Sequence, residues 1–142
     1  MGQSIQPAVF GATGYSGFEL VRLLARHGGV KKPLLFSRNG DSAYKDLSEA
    51  YPQIAGNGGF PFESFSWQRM SEAGVNVLFL ATPHEFSREL VPEAISRGFR
   101  VIDCQQSTPH LASLGAREIS RNAFAQLVQE SIQYPSAGKR WS

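Results

Sequence analysis

The sequence predicts an α/β fold, a doubly wound parallel sheet with helices on both faces, and three observations carry that prediction. Short apolar runs alternate with amphipathic stretches over the first 103 residues. Each connection is long enough to return across a sheet, as parallel neighbours require and antiparallel hairpins do not. The turn between the first apolar run and its helix places glycines at 11, 14 and 17.

Taken in order, Ala8-Val9-Phe10 reads as a buried first strand that ends at a glycine. Phe18, Val21, Leu24 and Ala25 then recur at helical spacing, with Glu19, Arg22 and Arg26 on the opposite face. Gly28-Gly29 is expected to stop this helix in the C′ position. Leu34-Leu35-Phe36 is the second strand. Residues 39–62 hold six glycines and prolines, so they read mostly as loop, with a weaker helical patch over Leu47–Tyr51. Phe60–Phe65 alternates at period two and is read as a short strand. Val75–Leu80 is the strongest strand signal in the chain. Leu90, Val91, Ala94 and Ile95 form a helical face ending at Gly98, with Pro92 expected to kink or cap that helix. Phe99–Asp103 is the last clear strand.

Composition narrows the function classes. A chain of 142 residues suffices for one ordinary domain but is too short for a dinucleotide domain plus a second catalytic one. With 42% hydrophobic and 18% charged residues it is globular rather than disordered or collagen-like. Fourteen Lys and Arg against twelve Asp and Glu leave a net charge of +2, too small to argue for nucleic acid. No apolar run approaches the roughly 20 residues of a membrane span. Residues 1–7 lack the charged-then-apolar layout of a signal peptide. The single cysteine, Cys104, excludes an internal disulfide and a cysteine-rich zinc site. A cytoplasmic protein without membrane or nucleic-acid partners is expected.

The segment Gly11-Ala12-Thr13-Gly14-Tyr15-Ser16-Gly17 carries the chemistry. A diphosphate needs backbone N–H groups aimed at it and the positive end of a helix dipole nearby. Gly11 allows a sharp exit from the strand, Gly14 allows the backbone to approach the diphosphate, and Gly17 allows the helix to pack closely. The spacing is one residue longer in its first gap than the usual Gly-x-Gly-x-x-Gly fingerprint. Thr13 and Ser16 add hydroxyls within reach of phosphate oxygens. Placed between a strand and a helix, this Rossmann-like turn is expected to bind a dinucleotide.

The end of the second strand decides which dinucleotide. A carboxylate there would bind the ribose hydroxyls of NAD, whereas an arginine accommodates a 2′-phosphate. Here the strand runs into Phe36-Ser37-Arg38-Asn39, with no acid before Asp41. Arg38 offers a planar fork suited to phosphate and Ser37 a hydroxyl, so NADP is favoured. The loop Ala81-Thr82-Pro83-His84 follows the strongest strand and should face the same crevice. Small side chains at Ala81 and Thr82 permit close approach of the cofactor; His84 either orients a ligand or caps local backbone. Glu85 and Ser87 read as helix-start residues. Cys104 reads as a buried, inert thiol, and His27 as a partner of the helix C-terminus.

The segments Ala8–Gly17, Glu19-Leu20, Arg22-Leu23-Leu24, Ser37-Arg38, Ala50-Tyr51-Pro52, Val77–His84 and Val101-Ile102-Asp103 together resemble the opening of the N-acetyl-γ-glutamyl-phosphate reductases, over about residues 7–103. The Gly-Ala-Thr-Gly-Tyr-Ser-Gly and Ala-Thr-Pro-His segments are the specific part. Aspartate-semialdehyde dehydrogenases share the architecture and part of the loop, but fit Tyr15-Ser16-Gly17 and Pro83-His84 less well. The resemblance implies reduction of an acyl phosphate to a semialdehyde in arginine biosynthesis, with NADPH as reductant and an oligomeric assembly. It also implies a cysteine nucleophile, which forms a thioester for the hydride to reduce, and an acid/base histidine. That family carries both in a second domain. No matching cysteine segment occurs here, so no catalytic residue is assigned, and a chain complete at this length is expected to bind cofactor without turnover.

Residues 1–106 are therefore read as the cofactor-binding domain, and 107–142 as an unmatched segment. This tail carries four basic and two acidic residues, and three origins fit it: a fused segment, a shifted reading frame, or divergence. Ile119, Phe124, Leu127, Val128 and Ile132 outline one amphipathic helix within Arg117–Ile132, able to dock on an open sheet edge. A non-catalytic dinucleotide-binding or regulatory module, with that helix as a partner surface, is the alternative function. A fragment of an enzyme like aspartate-semialdehyde dehydrogenase is another.

Overall fold

The alternating pattern folds into a parallel sheet with the strand order β3-β2-β1-β4-β5 in a computed structural model. It describes residues 4–37, 44–56, 58–82, 84–99, 102–103, 109–113 and 115–131. The strands are β1 (Pro7–Phe10), β2 (Leu34–Ser37), β3 (Phe62–Ser64), β4 (Val77–Leu80) and β5 (Ile102–Asp103). Every pairing is parallel. The helices are α1 (Tyr15–Arg26), α2 (Leu47–Ala50), α3 (Trp67–Ala73), α4 (His84–Ser96), α5 (Pro109–Ser113) and α6 (Arg121–Ser131), and a 3₁₀ turn spans Pro52–Ile54.

Period-two alternation sends successive strand residues to opposite faces, and both faces are covered. Ala8, Phe10, Phe36, Leu78 and Leu80 point to one face, where Met70 of α3 and Phe86, Leu90, Val91 and Ala94 of α4 pack on them. Phe10 sits at the centre, with ring centroids 5.6 Å from Phe36, 5.4 Å from Phe65 and 5.4 Å from Phe86. Burying a side chain of that size contributes roughly 1.5–3 kcal/mol, so these rings dominate the stability of this face. Val9, Leu35, Val77 and Phe79 point to the other face, against Phe18 and Val21 of α1, Leu47 of α2 and Val128 of α6. The doubly wound class expected from the sequence is thus realised.

Several local expectations are corrected. On α1 the apolar face is Phe18 and Val21, with Leu20 and Leu24 packed beside them, and Ala25 is exposed. The helix ends at His27 with extended backbone, and neither Gly28 nor Gly29 takes a positive φ. The His27 ring accepts the Gly29 N–H at 3.1 Å, so its described contact is with a backbone donor beyond the helix rather than with the carbonyls of the helix C-terminus. In α4, Leu90, Val91 and Ala94 are buried, but Ile95 is 46% exposed. Pro92 lies inside the helix, and Gly98, at φ +90°, ends it as expected. α3 was not anticipated. Of the tail's apolar residues, Phe124 and Val128 pack on the α1 face of the sheet rather than at its edge. Ile119 and Leu127 are exposed, and Ile132 lies outside the described residues.

Candidate functional site

The strand register brings the candidate loops into line. Phe10 stands opposite Phe36 of β2 and Leu80 of β4. The next residue on each strand, Gly11, Ser37 and Ala81, therefore falls in one row along the carboxyl edge of the sheet. Connections from β1 lead to β2 on one side, and β4 returns to its other side, so the chain reverses direction at β1. That switch point is where open α/β sheets hold ligands.

Two of the loop glycines are demanded by the protein itself. Gly11 has φ +87°, and a Cβ there would lie 2.7 Å from the Ala81 carbonyl carbon and 3.3 Å from the Thr82 methyl. The turns after β1 and β4 are thus in direct contact, further tied by the Ala81 N–H donating to the Phe10 carbonyl at 2.9 Å. A Cβ on Gly17 would lie 2.7 Å from the Gly11 carbonyl carbon. Gly14 differs. Its φ is −74°, and a Cβ there would meet only the Gly11 oxygen, at 3.4 Å.

Gly14 is the residue that precedes α1, and no side chain caps that helix. Nor is there an acidic residue in its first turn. The first-turn amides of Tyr15, Ser16 and Gly17 thus lack the side-chain oxygen that normally satisfies such donors. Thr13, Gly14, Tyr15 and Ser16 are exposed, Tyr15 by 79%. An uncapped helix start open to solvent suits an anion.

Across the row, Thr82 Oγ1 and Ser87 Oγ lie 3.4 Å apart, and Ser87 is fully buried at the start of α4. The Ser37 hydroxyl faces β3, 3.5 Å from the Glu63 carbonyl oxygen that accepts from it. His84 opens α4, but its side chain, like Arg38, Pro83 and Cys104, lies outside the described residues. The structure thus brings Gly11, Thr13, Gly14, Tyr15, Ser16 and Gly17 beside Ala81 and Thr82, with Ser37 at the end of the same row.

A neighbouring segment supports the loop, and the sequence reading gave its residues no role. Tyr51 stacks on Phe18 with ring centroids 3.9 Å apart and planes within 9°, and its hydroxyl donates to the Thr13 carbonyl at 2.8 Å. Asp46 fixes that segment. Its carboxylate accepts from the Ser48 N–H at 2.9 Å, the Ser48 hydroxyl at 2.8 Å and the Phe60 N–H at 2.8 Å. Burial pushes the Asp46 carboxyl up, but these bonds from Ser48 and Phe60, with the Lys32 charge, outweigh it and hold the group below its ordinary value. Lys32 also donates to the Gly58 carbonyl at 3.0 Å and lies 4.6 Å from the Phe60 ring centre. Among the described residues no group of three His, Cys, Asp or Glu side chains could hold a metal. No described helix is long and apolar enough to cross a membrane.

Residues 7–127 match the family described as "Semialdehyde dehydrogenase, NAD binding domain". The chain belongs to this family. The match begins where the sequence resemblance begins and continues past residue 103 through α5 into α6. A nicotinamide dinucleotide is accordingly the cofactor class of this semialdehyde dehydrogenase domain. An N-acetyl-gamma-glutamyl-phosphate reductase of Halothermothrix orenii is 35% identical over 156 aligned positions, 94% of this chain and 44% of the relative. A LysW-L-2-aminoadipate/LysW-L-glutamate phosphate reductase of Sulfolobus acidocaldarius is 38% identical over 99 positions, 70% of this chain and 27% of the relative. The chain thus spans less than half the length of either relative. A solved structure from Pseudomonas aeruginosa, described as a probable aspartate-semialdehyde dehydrogenase, superposes with a TM-score of 0.55 at 27% identity. It covers 75% of this chain and 30% of that one.

Proposed function

We propose that this semialdehyde dehydrogenase domain is the NADP-binding half of an N-acetyl-γ-glutamyl-phosphate reductase of arginine biosynthesis. The observation that carries the reading is the uncapped start of α1 at the carboxyl edge of β1, in contact with the turn after β4. The first-turn amides beyond Gly14 take the diphosphate. Gly14, whose missing side chain the fold does not require, leaves the space that approach needs. Ala81, Thr82, Pro83 and His84 border the cofactor from the β4 side. When bound, the dinucleotide supplies the hydride that converts an acyl group to an aldehyde. The acyl-phosphate substrate and the residues that attack it belong to the part of these relatives that the chain does not span.

NADP rather than NAD is proposed because Arg38 directly follows in sequence Ser37, the residue of β2 that shares the row of Gly11 and Ala81, and no acid stands before Asp41. Residues 1–106 form the binding unit in this reading, and the segment from 107 onward, which the family matches as far as residue 127, is held to it by Phe124 and Val128. The curated relatives at 35% and 38% identity are both acyl-phosphate reductases, which favours that chemistry over an aspartate-semialdehyde dehydrogenase.

The test is a fluorescence titration of the purified chain with NADPH and with NADH. Saturable binding of both, tighter for NADPH, is the expected outcome. Absence of binding by either dinucleotide overturns the cofactor assignment, and equal binding overturns the choice of NADP.

A further inference from the structure

We propose that Tyr51 is a positioning residue for the diphosphate-binding loop, acting through the peptide that joins Thr13 to Gly14. The inference rests on the cofactor reading above and deepens it. A peptide unit carries its carbonyl and its N–H on opposite sides, so turning one toward a ligand turns the other away. Both poles of the 13–14 peptide are held. Its N–H donates to the Gly11 carbonyl at 3.1 Å, inside the loop, and its carbonyl accepts the Tyr51 hydroxyl at 2.8 Å, from 38 residues away in the chain. The bond from Tyr51 keeps the oxygen, the negative end of the dipole, from swinging into the space in front of the first-turn amides of α1. In that space a carbonyl oxygen would repel a diphosphate and displace it from those amides.

The Tyr51 ring is itself fixed. It lies flat against Phe18, which is 3% exposed and belongs to the core cluster under α1. The backbone around it is set as well, since the Tyr51 N–H donates to the Leu47 carbonyl at 2.9 Å and Pro52 starts the next turn. Ring stacking and hydrogen bonding are therefore separable. Phenylalanine keeps the first and removes the second, and alanine removes both.

The test compares Tyr51→Phe and Tyr51→Ala with the unaltered chain, titrating each with NADPH and NADH and recording thermal unfolding. Tyr51→Phe is expected to unfold at the same temperature within about 2 °C and to bind both dinucleotides about three- to ten-fold more weakly, the range of one hydrogen bond. The loss should be equal for the two, because they share the diphosphate and differ only at the 2′-phosphate. Tyr51→Ala is expected to lower the unfolding temperature as well. Unchanged affinity in Tyr51→Phe, with the unaltered chain binding normally, overturns the positioning role and leaves the cofactor reading standing. A Tyr51→Phe chain that loses affinity only together with stability makes the hydroxyl a folding contact and overturns the proposal too. No binding by the unaltered chain defeats the cofactor reading, and this inference with it.

Discussion

Gly17 packs directly on the Gly11 carbonyl, the carbon of which would lie 2.7 Å from a Cβ on Gly17. The atoms met are backbone of the turn after β1, so no side chain can swing aside to make room. Gly17→Ala gains about 1 kcal/mol of helix propensity. Overpacking costs about 1–3 kcal/mol and more when the backbone must move, so the clash wins. A net destabilisation of about 2 kcal/mol, read from the midpoint of urea unfolding, is expected. A chain as stable as the parent, or more so, would show that α1 can lift off the turn freely.

Gly14 makes the opposite prediction. With φ −74° and only one neighbour at 3.4 Å, it has room for a methyl group as far as the protein is concerned. Gly14→Ala should stay within about 1 kcal/mol of the parent in unfolding free energy, the usual difference between glycine and alanine before a helix. Binding of NADPH and NADH should be lost together, and Gly14→Val should lose it more completely. Retained binding in both variants would place the diphosphate elsewhere.

Arg38 separates the two cofactors. If its guanidinium holds the 2′-phosphate, Arg38→Ala should weaken NADPH by about ten-fold or more, the effect of a charge-assisted hydrogen bond of about 1.5–3 kcal/mol, and leave NADH nearly unchanged. Parallel titrations of one variant with both dinucleotides make the comparison. Equal losses would mark a general contact with the ligand rather than a reader of its phosphate.

What the sequence made legible follows from how local each signal is. Ala8–Phe10 and Val77–Leu80 announce buried strands because every residue in them is apolar, and the structure pairs them side by side. α3 escaped because only Met70 of its seven residues is buried, too few for a visible period. Its signal lies at its ends, where Ser66 accepts the Arg69 N–H at 3.0 Å and Gly74 takes φ +72°. Gly28 stands directly after the C-cap His27, the C′ position expected of it, but the helix stops there without a left-handed residue. The glycine loop was readable as a unit, but its separate reasons were not. That Gly11 and Gly17 serve packing and Gly14 does not depends on Ala81 and Gly11 atoms placed by the sheet. Tyr51 stood inside a recognised segment, yet its partner Thr13 is 38 residues away, beyond any periodicity.

Asp46 gives the loop segment a dependence on acid. Its folded carboxyl is held below the ordinary value of 3.8, so folding favours the ionised form. The stability it contributes is present above pH 3.8 and is lost as pH falls through the lower folded value. Asp46→Ala removes a helix cap and leaves the Phe60 N–H without its acceptor, at a cost of about 1–2 kcal/mol near neutral pH. Unfolding measured at a series of pH values should show the gap between parent and variant narrowing below about pH 4. A gap that stays constant into strong acid would mean that the charged form of Asp46 contributes nothing special.

The last relationship to test is the docking of α6. Val128 is 9% exposed and shares a cluster with Phe18, Val21 and Phe79, whereas Leu127, one residue earlier, is 37% exposed. Adjacent residues of one helix thus face different surroundings, which makes each the control for the other. Val128→Ala should cost about 1–2 kcal/mol, from lost burial plus a small cavity. Leu127→Ala should stay within about 0.5 kcal/mol, as exposed substitutions do. Because Phe18 lies under both Val128's cluster and the Tyr51 ring, a loosened α6 should also reach the cofactor loop. Val128→Ala is therefore expected to weaken dinucleotide binding slightly, and Leu127→Ala not at all. Identical stabilities for the two variants would detach α6 from the sheet, and residues 107–142 would then add nothing to the packing beneath the loop.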